Sequence, residues 1–386
     1  MNLQALLQSI SPLEIKGETD RDICGVDIDS RRVAADHLFI AMRGTQVDGH
    51  QFIPKAVELG AGAVLCETLP ESLAEGVTYV KVADTEDVVG KIATTFYGNP
   101  SSKLKLVGVT GTNGKTTTKE LTATVLSTMY NLHYTQGNYN NSLGVPLTLL
   151  QITRAHELAI IEMGASHPGD IRELVEIVEP NYGLITNVGR AHLQGFGSFE
   201  GVQQTKAELY DYLLTHPDTT KGIFVNEDNE YLNKMLANSA LQHNINITSP
   251  IYYNTLPMLT KTHLVGDYNA ENISAALCIA EHFGVKRKTA IEAIRAYHPT
   301  NNRSQQMTTD CNELVIDAYN ANPTSMAAAV KNFGKIHGES PLLILGDMRE
   351  LGEESENEHL KIVRLIDELG LKKVFFVGRE FMKAGM

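Results

Sequence analysis

A short run of residues in this chain has the types and spacing needed to hold a nucleotide phosphate. Val107 to Thr118 read V-G-V-T-G-T-N-G-K-T-T-T. Gly111 and Gly114 permit the tight turn that aims backbone N–H groups at phosphate oxygens, Lys115 can reach the terminal phosphates, and the Thr116 hydroxyl can ligate magnesium. The generic Walker pattern asks for a further glycine at position 109, where this chain has valine. The other reading of the segment is a Gly-rich strand-to-helix turn that happens to carry Lys-Thr. Three more candidates stand at the ends of expected strands: Glu162 closing LAIIEMGA, His192 ending LITNVGRAH, and Lys206 in QQTKAELY, where it opens the next helix. A Glu and a His beside a nucleotide phosphate could hold magnesium directly or through water, although this hard cation prefers oxygen to imidazole. Taken singly, His192 reads as a satisfied loop histidine and Lys206 as a solvated helix lysine. Their order after the loop is what raises both.

Such residues must be positioned by a sheet, and the pattern around them supplies one. From Leu104 the chain alternates strand and helix: KLVGV (105–109), a helix from Lys115, LAIIEMG (158–164), a helix after Pro168, GLITNV (183–188) and a helix near 200–214. This predicts an α/β unit with a parallel sheet wrapped by helices and ligands at the carboxyl ends of the strands, spanning 105–303. Residues 1–104 form a smaller α/β unit with strands at HLFIAM (37–42), GAVLC (62–66) and TYVKV (78–82), a helical pattern over 52–61, and the turn-rich linker GNPSSK (98–103). Residues 304–386 begin a third series: strands at ELVIDAY (313–319), PLLILG (341–346) and KKVFFVG (372–378), with helices from Pro323 and around 355–369. A parallel sheet of three strands leaves an edge bare, so this last domain is expected to be incomplete.

Composition narrows the partners. A formal charge of −13 in 386 residues argues against nucleic acid, which needs a basic face. An anionic ligand must then be held by a local site. The four cysteines, Cys24, Cys66, Cys278 and Cys311, lie far apart without a C-x-x-C pair and are expected to be buried thiols. The N-terminal segment lacks a basic leader and a long apolar stretch, so a cytoplasmic protein without a membrane span is expected.

The phosphate loop with Glu162, His192 and Lys206, in that order, resembles the Mur ligase family, the ATP-dependent amide-bond-forming ligases of peptidoglycan precursor synthesis. The resemblance covers nearly the whole chain. It implies three domains: a small N-terminal α/β domain binding UDP (1–104), a central P-loop parallel-sheet ATPase domain (105–303), and an incomplete C-terminal Rossmann-like domain binding the acceptor (304–386). It implies ATP and Mg2+ as cofactors. ATP would be held by Gly111, Thr112, Asn113, Gly114, Lys115, Thr116 and Thr117, with metal on Thr116, Glu162, His192 and Lys206, the last as a carbamate formed with CO2. Lys115, Lys206, His192 and Arg303 would be the catalytic set. The segment GDYNAENISAA (266–276) is similar to the family's asparagine-rich helix start, which implies adenine contacts from Asn269 and Asn272; on its residues alone, Asn269 could equally be a helix cap. Arg303 in NNRSQQM matches the arginine at the junction to the last domain, and Asp317 in VIDAYNANP matches the acidic residue reaching the nucleotide when that domain closes. Ser30 and Arg31 of DSR, with Thr45, Asp48, Gly49 and His50 of RGTQVDGH, match UDP-binding positions, although as bare sequence they could equally be turn chemistry.

Within the family, GNYNNSLGVPLTLL (137–150), EMGASHPGDI (162–171), DAYNANPTSM (317–326) and LGDMRELGEESENEH (345–359) resemble the branch that adds D-alanyl-D-alanine to UDP-N-acetylmuramoyl-tripeptide. DIDSRRVAADHLFIAMRGTQVDGH (27–50) and the run 84–117 look closer to the branch that adds the third residue, and the change of character falls at the phosphate loop. The partners implied are a UDP-N-acetylmuramoyl-peptide and D-alanyl-D-alanine, and the protein is expected to be a monomer. The third-residue activity, or a nucleotide-binding fragment without turnover, are the alternatives. Folylpolyglutamate synthase, another relative, lacks a UDP-binding domain of the kind that DSR and DGH suggest.

Overall fold

Strictly alternating burial gives the central sheet its two helical faces. In the computed structural model, which describes residues 1–43, 47–97, 104–248, 250–335 and 341–384, Leu158 and Ile160 enter one core while Ala159 and Ile161 enter the other. Successive side chains of a strand point to opposite faces, so a fully apolar run such as LAII suits a strand covered on both sides. The N-terminal domain comes first, with strands β1 (Glu14–Lys16), β2 (Gly25–Asp27), β3 (His37–Ile40), β4 (Ala63–Cys66) and β5 (Thr78–Lys81) in the order β1-β5-β4-β3-β2, all parallel except β1.

The central domain carries β6 (Lys105–Thr110), β7 (Leu132–Tyr134), β8 (Leu158–Glu162), β9 (Tyr182–Ile185), β10 (Gly222–Asn226) and β11 (Pro250–Tyr253). They form one parallel sheet in the order β11-β10-β9-β6-β8-β7. From β6 the chain goes to the edge strand β7, returns to β8 beside β6, and then crosses to build β9, β10 and β11 outward on the other side. The carboxyl end of β6 is therefore the point where the winding reverses, which is where an open α/β sheet opens a crevice. The helices Lys115–Leu126, Asn269–His282 and Arg287–Ala296 cover one face; Asp170–Val178, Phe199–Thr215 and Glu230–His243 cover the other.

The last domain departs from expectation. Its strands are β12 (Gln305–Thr308), β13 (Glu313–Ile316), β14 (Leu343–Gly346) and β15 (Val374–Val377). Among the described residues they make two separate pairs, an antiparallel β12-β13 hairpin and a parallel β14-β15 pair, instead of one parallel sheet of three strands. The reason is local: a four-residue turn lets β13 fold directly back on β12, and short closures cost little entropy. A cleft lined by Val315, Ile344 and Phe333 separates β13 from β14. Helix Pro323–Phe333 and helix Ser355–Glu368 cover one face of the β14-β15 pair and share a core with Leu193, Phe196 and Val202 of the central domain. The other face leaves Ile344, Phe375 and Val377 more than half exposed.

Two smaller expectations also change. Cys66 is buried, but Cys24 and Cys311 are exposed because one precedes β2 and the other lies in the hairpin turn; Cys278 is half-buried. Lys206 does not open its helix. Ser198 accepts a hydrogen bond from the Gly201 N–H (3.0 Å), so the helix starts at Phe199 and Lys206 lies two turns inside, buried. No helix among the described residues is long and apolar enough to cross a membrane.

Candidate active site

The phosphate loop is built by two glycines in the left-handed region of backbone space, Gly111 (φ +137°) and Gly114 (φ +78°). A side chain at either would also meet a neighbour: a Cβ at Gly114 would overlap the Asn272 side chain, and one at Gly111 the Thr186 hydroxyl. The left-handed conformation alone costs a non-glycine residue about 1–2 kcal/mol. Gly114→Ala is thus expected to disorder the loop and weaken ADP binding at least tenfold in calorimetry; unchanged affinity would show that the loop does not cradle the phosphates.

The loop is further tied to the segment after β9. The Thr112 N–H donates to the Asn187 carbonyl (2.9 Å), the Asn113 N–H donates to Asn187 Oδ1 (3.0 Å), and Thr186 Oγ1 donates to the Asn113 carbonyl (2.6 Å). Lys115 Nζ donates to the carbonyls of Gly111 (2.8 Å) and Thr112 (2.9 Å), which holds the cation across the loop mouth. Burial, reinforced by Arg303 and opposed by Glu162, pushes the Lys115 amine down to about 8.

A cavity of about 470 Å³ opens beside the loop, and Thr112, Asn113, Lys115, Glu162, His192 and Arg303 all reach it. Glu162, fully buried at the end of β8, accepts on Oε1 from Thr116 Oγ1 (3.1 Å) and Asn140 Nδ2 (2.8 Å). Its Oε2 is buried with no hydrogen-bond donor, and Lys119 Nζ stands 3.8 Å away. A carboxyl oxygen with no hydrogen-bond donor, next to a hydroxyl, suits a hard divalent cation, so this pair fits magnesium. No group of three or more His, Cys, Asp or Glu side chains able to hold a metal occurs among the described residues, so phosphate oxygens and water would complete the shell.

His192 sits in the left-handed region (φ +50°) at the start of the short helix Leu193–Phe196, and its Nδ1 pairs with Glu350 of the last domain. Burial lowers the imidazole below its ordinary value, with Glu350 pulling the other way, which favours the neutral ring. Lys206 does not line the cavity. Its Nζ lies 5.6 Å from the Phe196 ring, on whose edge His192 also packs, and makes no hydrogen bond to any described residue. Burial first, then the Lys115 charge, drives its amine well below the ordinary lysine range.

The other expected residues separate. Arg303 stacks on the Tyr319 ring (3.8 Å) at the cavity wall, whereas Asp317 lines the neighbouring cleft with Tyr268 instead. Burial raises the Asp317 carboxyl. Asn269 is not a helix cap: Tyr268 holds that position without a side-chain bond. Asn269 Nδ2 donates to the Val265 carbonyl (2.8 Å) and its Oδ1 accepts from Asn272 Nδ2 (2.9 Å), while Asn272 Oδ1 accepts from Thr118 Oγ1 (3.1 Å). The pair therefore clamps helix Asn269–His282 to the loop helix. In the N-terminal domain a cleft of about 710 Å³ is lined by Ser30, Arg31, Gly49, Phe52 and, from the central domain, Tyr139 and Leu143. Arg31 pairs with Asp29 (2.7 Å). Asp48 and His50 face each other (2.7 Å), and His50 Nε2 accepts from the Glu67 N–H (2.9 Å), so this histidine is spent on the fold. Thr45 lies outside the described residues.

Sequence reasoning passed over Asn140, Asn322 and Glu350, which meet Glu162, Asn113 and His192 respectively. The signal available was weak: Asn140 belongs to the GNYNNSLG run and Asn322 to NANP, immediately before a helix-starting proline.

Comparison with known proteins finds relatives along nearly the whole chain. Residues 22–97 match the Mur ligase family catalytic domain, 109–280 the Mur ligase middle domain, and 302–385 the Mur ligase glutamate ligase domain. The chain is 33% identical over 377 residues to the UDP-N-acetylmuramoyl-tripeptide--D-alanyl-D-alanine ligase of Bacillus subtilis (strain 168), covering 92% of this chain and 80% of that protein. It is 35% identical over 363 residues to the UDP-N-acetylmuramoyl-L-alanyl-D-glutamate--2,6-diaminopimelate ligase of Bacteroides fragilis, covering 88% and 74%. Among solved structures, MurF from Acinetobacter baumannii superposes with a TM-score of 0.83 at 27% identity, over 99% of this chain and 87% of that one.

Proposed function

The chain belongs to the Mur ligase family, and we propose on that premise that it joins D-alanyl-D-alanine to a UDP-N-acetylmuramoyl-tripeptide, with ATP converted to ADP and phosphate. It is an ATP-dependent amide-bond-forming ligase. The observation that carries the reading is the cavity that Lys115, Arg303 and Glu162 line together at the reversal point of the central sheet. That gives a protein of charge −13 a local seat for a polyphosphate.

In the first step the tripeptide's terminal carboxylate attacks the γ-phosphorus of ATP, forming an acyl phosphate and releasing ADP. In the second the dipeptide amine attacks the acyl carbon, loses a proton, and phosphate leaves as the amide forms. Backbone N–H groups of Gly114 to Thr117 hold the phosphates at the start of helix Lys115–Leu126, the Thr112 and Asn113 N–H groups being bonded to Asn187, and Lys115 offsets charge on the oxygens that repel the incoming carboxylate. Arg303, kept on the Tyr319 ring, does the same from the domain junction. Thr116 and Glu162 would hold magnesium, which supplies charge neutralisation between the phosphates and the carboxylate. His192 lines the cavity and Lys206 lies behind it against Phe196, where a carbamate on Lys206 would serve a second cation beside His192. Asn269 and Asn272 shape the base end by anchoring their helix to the loop, and Asp317 approaches the nucleotide through the cleft it shares with Tyr268.

We divide the chain at 1–104, 105–303 and 304–386. The N-terminal cleft with Ser30, Arg31 and Gly49 holds the UDP end, and Asp48 and His50 brace the turn behind it. The reaction is cytoplasmic and the protein acts as a monomer. A second reading, addition of the third residue to the dipeptide precursor, is kept alive by the comparably similar diaminopimelate-adding relative. Acceptor dependence separates them: ADP release is expected with the UDP-tripeptide plus D-alanyl-D-alanine and not with the UDP-dipeptide plus a free diamino acid. The reverse pattern would assign the second reading.

A further inference from the structure

The asparagine of the phosphate loop has work that is not phosphate binding. Its backbone is fully used inside the loop, through Asn187 and Thr186. Its side chain turns outward and makes both of its hydrogen bonds to one residue 209 positions later: Asn322 Nδ2 donates to Asn113 Oδ1 (2.7 Å), and Asn113 Nδ2 donates to Asn322 Oδ1 at a longer 3.5 Å. Asn322 is 9% exposed and cannot swing freely, because it caps helix Pro323–Phe333: its Oδ1 accepts from the Ser325 N–H (2.9 Å) and its N–H donates to Ser325 Oγ (3.1 Å). The capping box therefore fixes the oxygen inward and presents the amide nitrogen to the loop. The next residue but one repeats the contact, since Thr324 Oγ1 accepts from the Arg190 N–H (3.1 Å), on the segment that also ties down the loop.

We propose that Asn113 and Asn322 form the latch through which the phosphate loop holds the C-terminal domain shut, so that ordering the loop and closing the domain are one event. Asn322, itself at the cavity wall with its side chain spent on Asn113 and Ser325, is then a positioning residue: it brings Arg303, Tyr319 and the Glu350–His192 pair to the cavity. The kinetic consequence rests on the ligase reading above, whereas the latch itself does not.

The test is a double-mutant cycle read by domain closure. Dyes on the two exposed cysteines, Cys24 of the first domain and Cys311 of the last, report the distance between them once Cys66 and Cys278 are replaced by alanine. Asn322→Ser keeps a capping oxygen but is too short to reach the loop, and Asn113→Ala removes only the loop side chain. Each variant is expected to shift the closed-to-open ratio about tenfold toward open, and the double variant no more than twofold further. Both should weaken ADP binding by the same factor and lower kcat while leaving KM for the acceptor within about threefold. Effects on closure that multiply, no effect on closure, or ADP affinity lost in Asn113→Ala alone would each overturn the proposal, the last by making the side chain a nucleotide contact. Should helix Pro323–Phe333 fray in Asn322→Ser, seen as a lower Tm, Asn113→Ala decides the matter unaided. Closure and ADP binding are read without turnover, so a protein that latches but forms no amide refutes the ligase reading and leaves the latch standing.

Discussion

Lys115→Ala is expected to lower ADP release by about 10³-fold with little change in thermal stability. The lysine spans the mouth of the loop on two carbonyl oxygens, so a cation is already aimed at the place the terminal phosphates occupy. Its amine is pushed down to about 8 mainly by burial, which means that the charge is held there at a cost that a neighbouring polyphosphate would offset. Removing the cation loses the transition-state contact but relieves that cost. Tm should therefore hold or rise slightly below pH 8, where the wild-type amine is charged in a desolvated place, and differ less at higher pH. A variant that still releases ADP at more than a tenth of the wild-type rate would remove the loop from the chemistry.

The second large effect belongs to Lys206. Burial first, and then the charge of Lys115, push the Lys206 amine well below the ordinary lysine range, toward its neutral form. Neutral amines react with CO2: the nitrogen lone pair bonds to carbon, one proton leaves to solvent, and a cation precursor becomes an anionic carbamate. Carbamylation would convert an otherwise unfavourable side chain into an oxygen donor behind His192. Lys206→Arg keeps length and positive charge but cannot lose its proton, and is expected to lose about 10²-fold in turnover. Wild-type protein in CO2-depleted buffer should lose activity that bicarbonate restores, and ¹³C-bicarbonate should give a carbamate resonance that Lys206→Arg lacks. An active Lys206→Arg, or no resonance in the wild type, would refute the carbamate.

What could be read from the sequence was whatever is encoded within a few residues. The loop at 111–117 announces itself through glycines that only a left-handed turn requires, next to a lysine and a threonine at fixed offsets. Glu162 was visible because LAIIE has the unbroken apolar run of a strand buried on both faces. Lys206 was placed at a helix start because the Ser198 cap went unread, and a solvated fate was the ordinary expectation for a lysine inside a helix. Asn140, Asn322 and Glu350 were out of reach for a different reason. Each gains its role from a partner on another element or domain, and no local pattern distinguishes an asparagine that caps its own helix from one that also grips a loop 209 residues earlier. The third domain failed on pairing: strand propensity located β13, β14 and β15 within two residues or so, but the partner of β13 is the neighbouring β12, and propensity carries no information about partners.

The most direct test is the mass of the product formed by the purified chain from ATP, UDP-N-acetylmuramoyl-tripeptide and D-alanyl-D-alanine. The account predicts a new nucleotide species heavier than the tripeptide precursor by the dipeptide less one water, formed in step with one ADP, and absent when any of the three is withheld. ADP release with no such species, or no product here but a new amide when UDP-N-acetylmuramoyl-dipeptide and a free diamino acid are supplied instead, would contradict it.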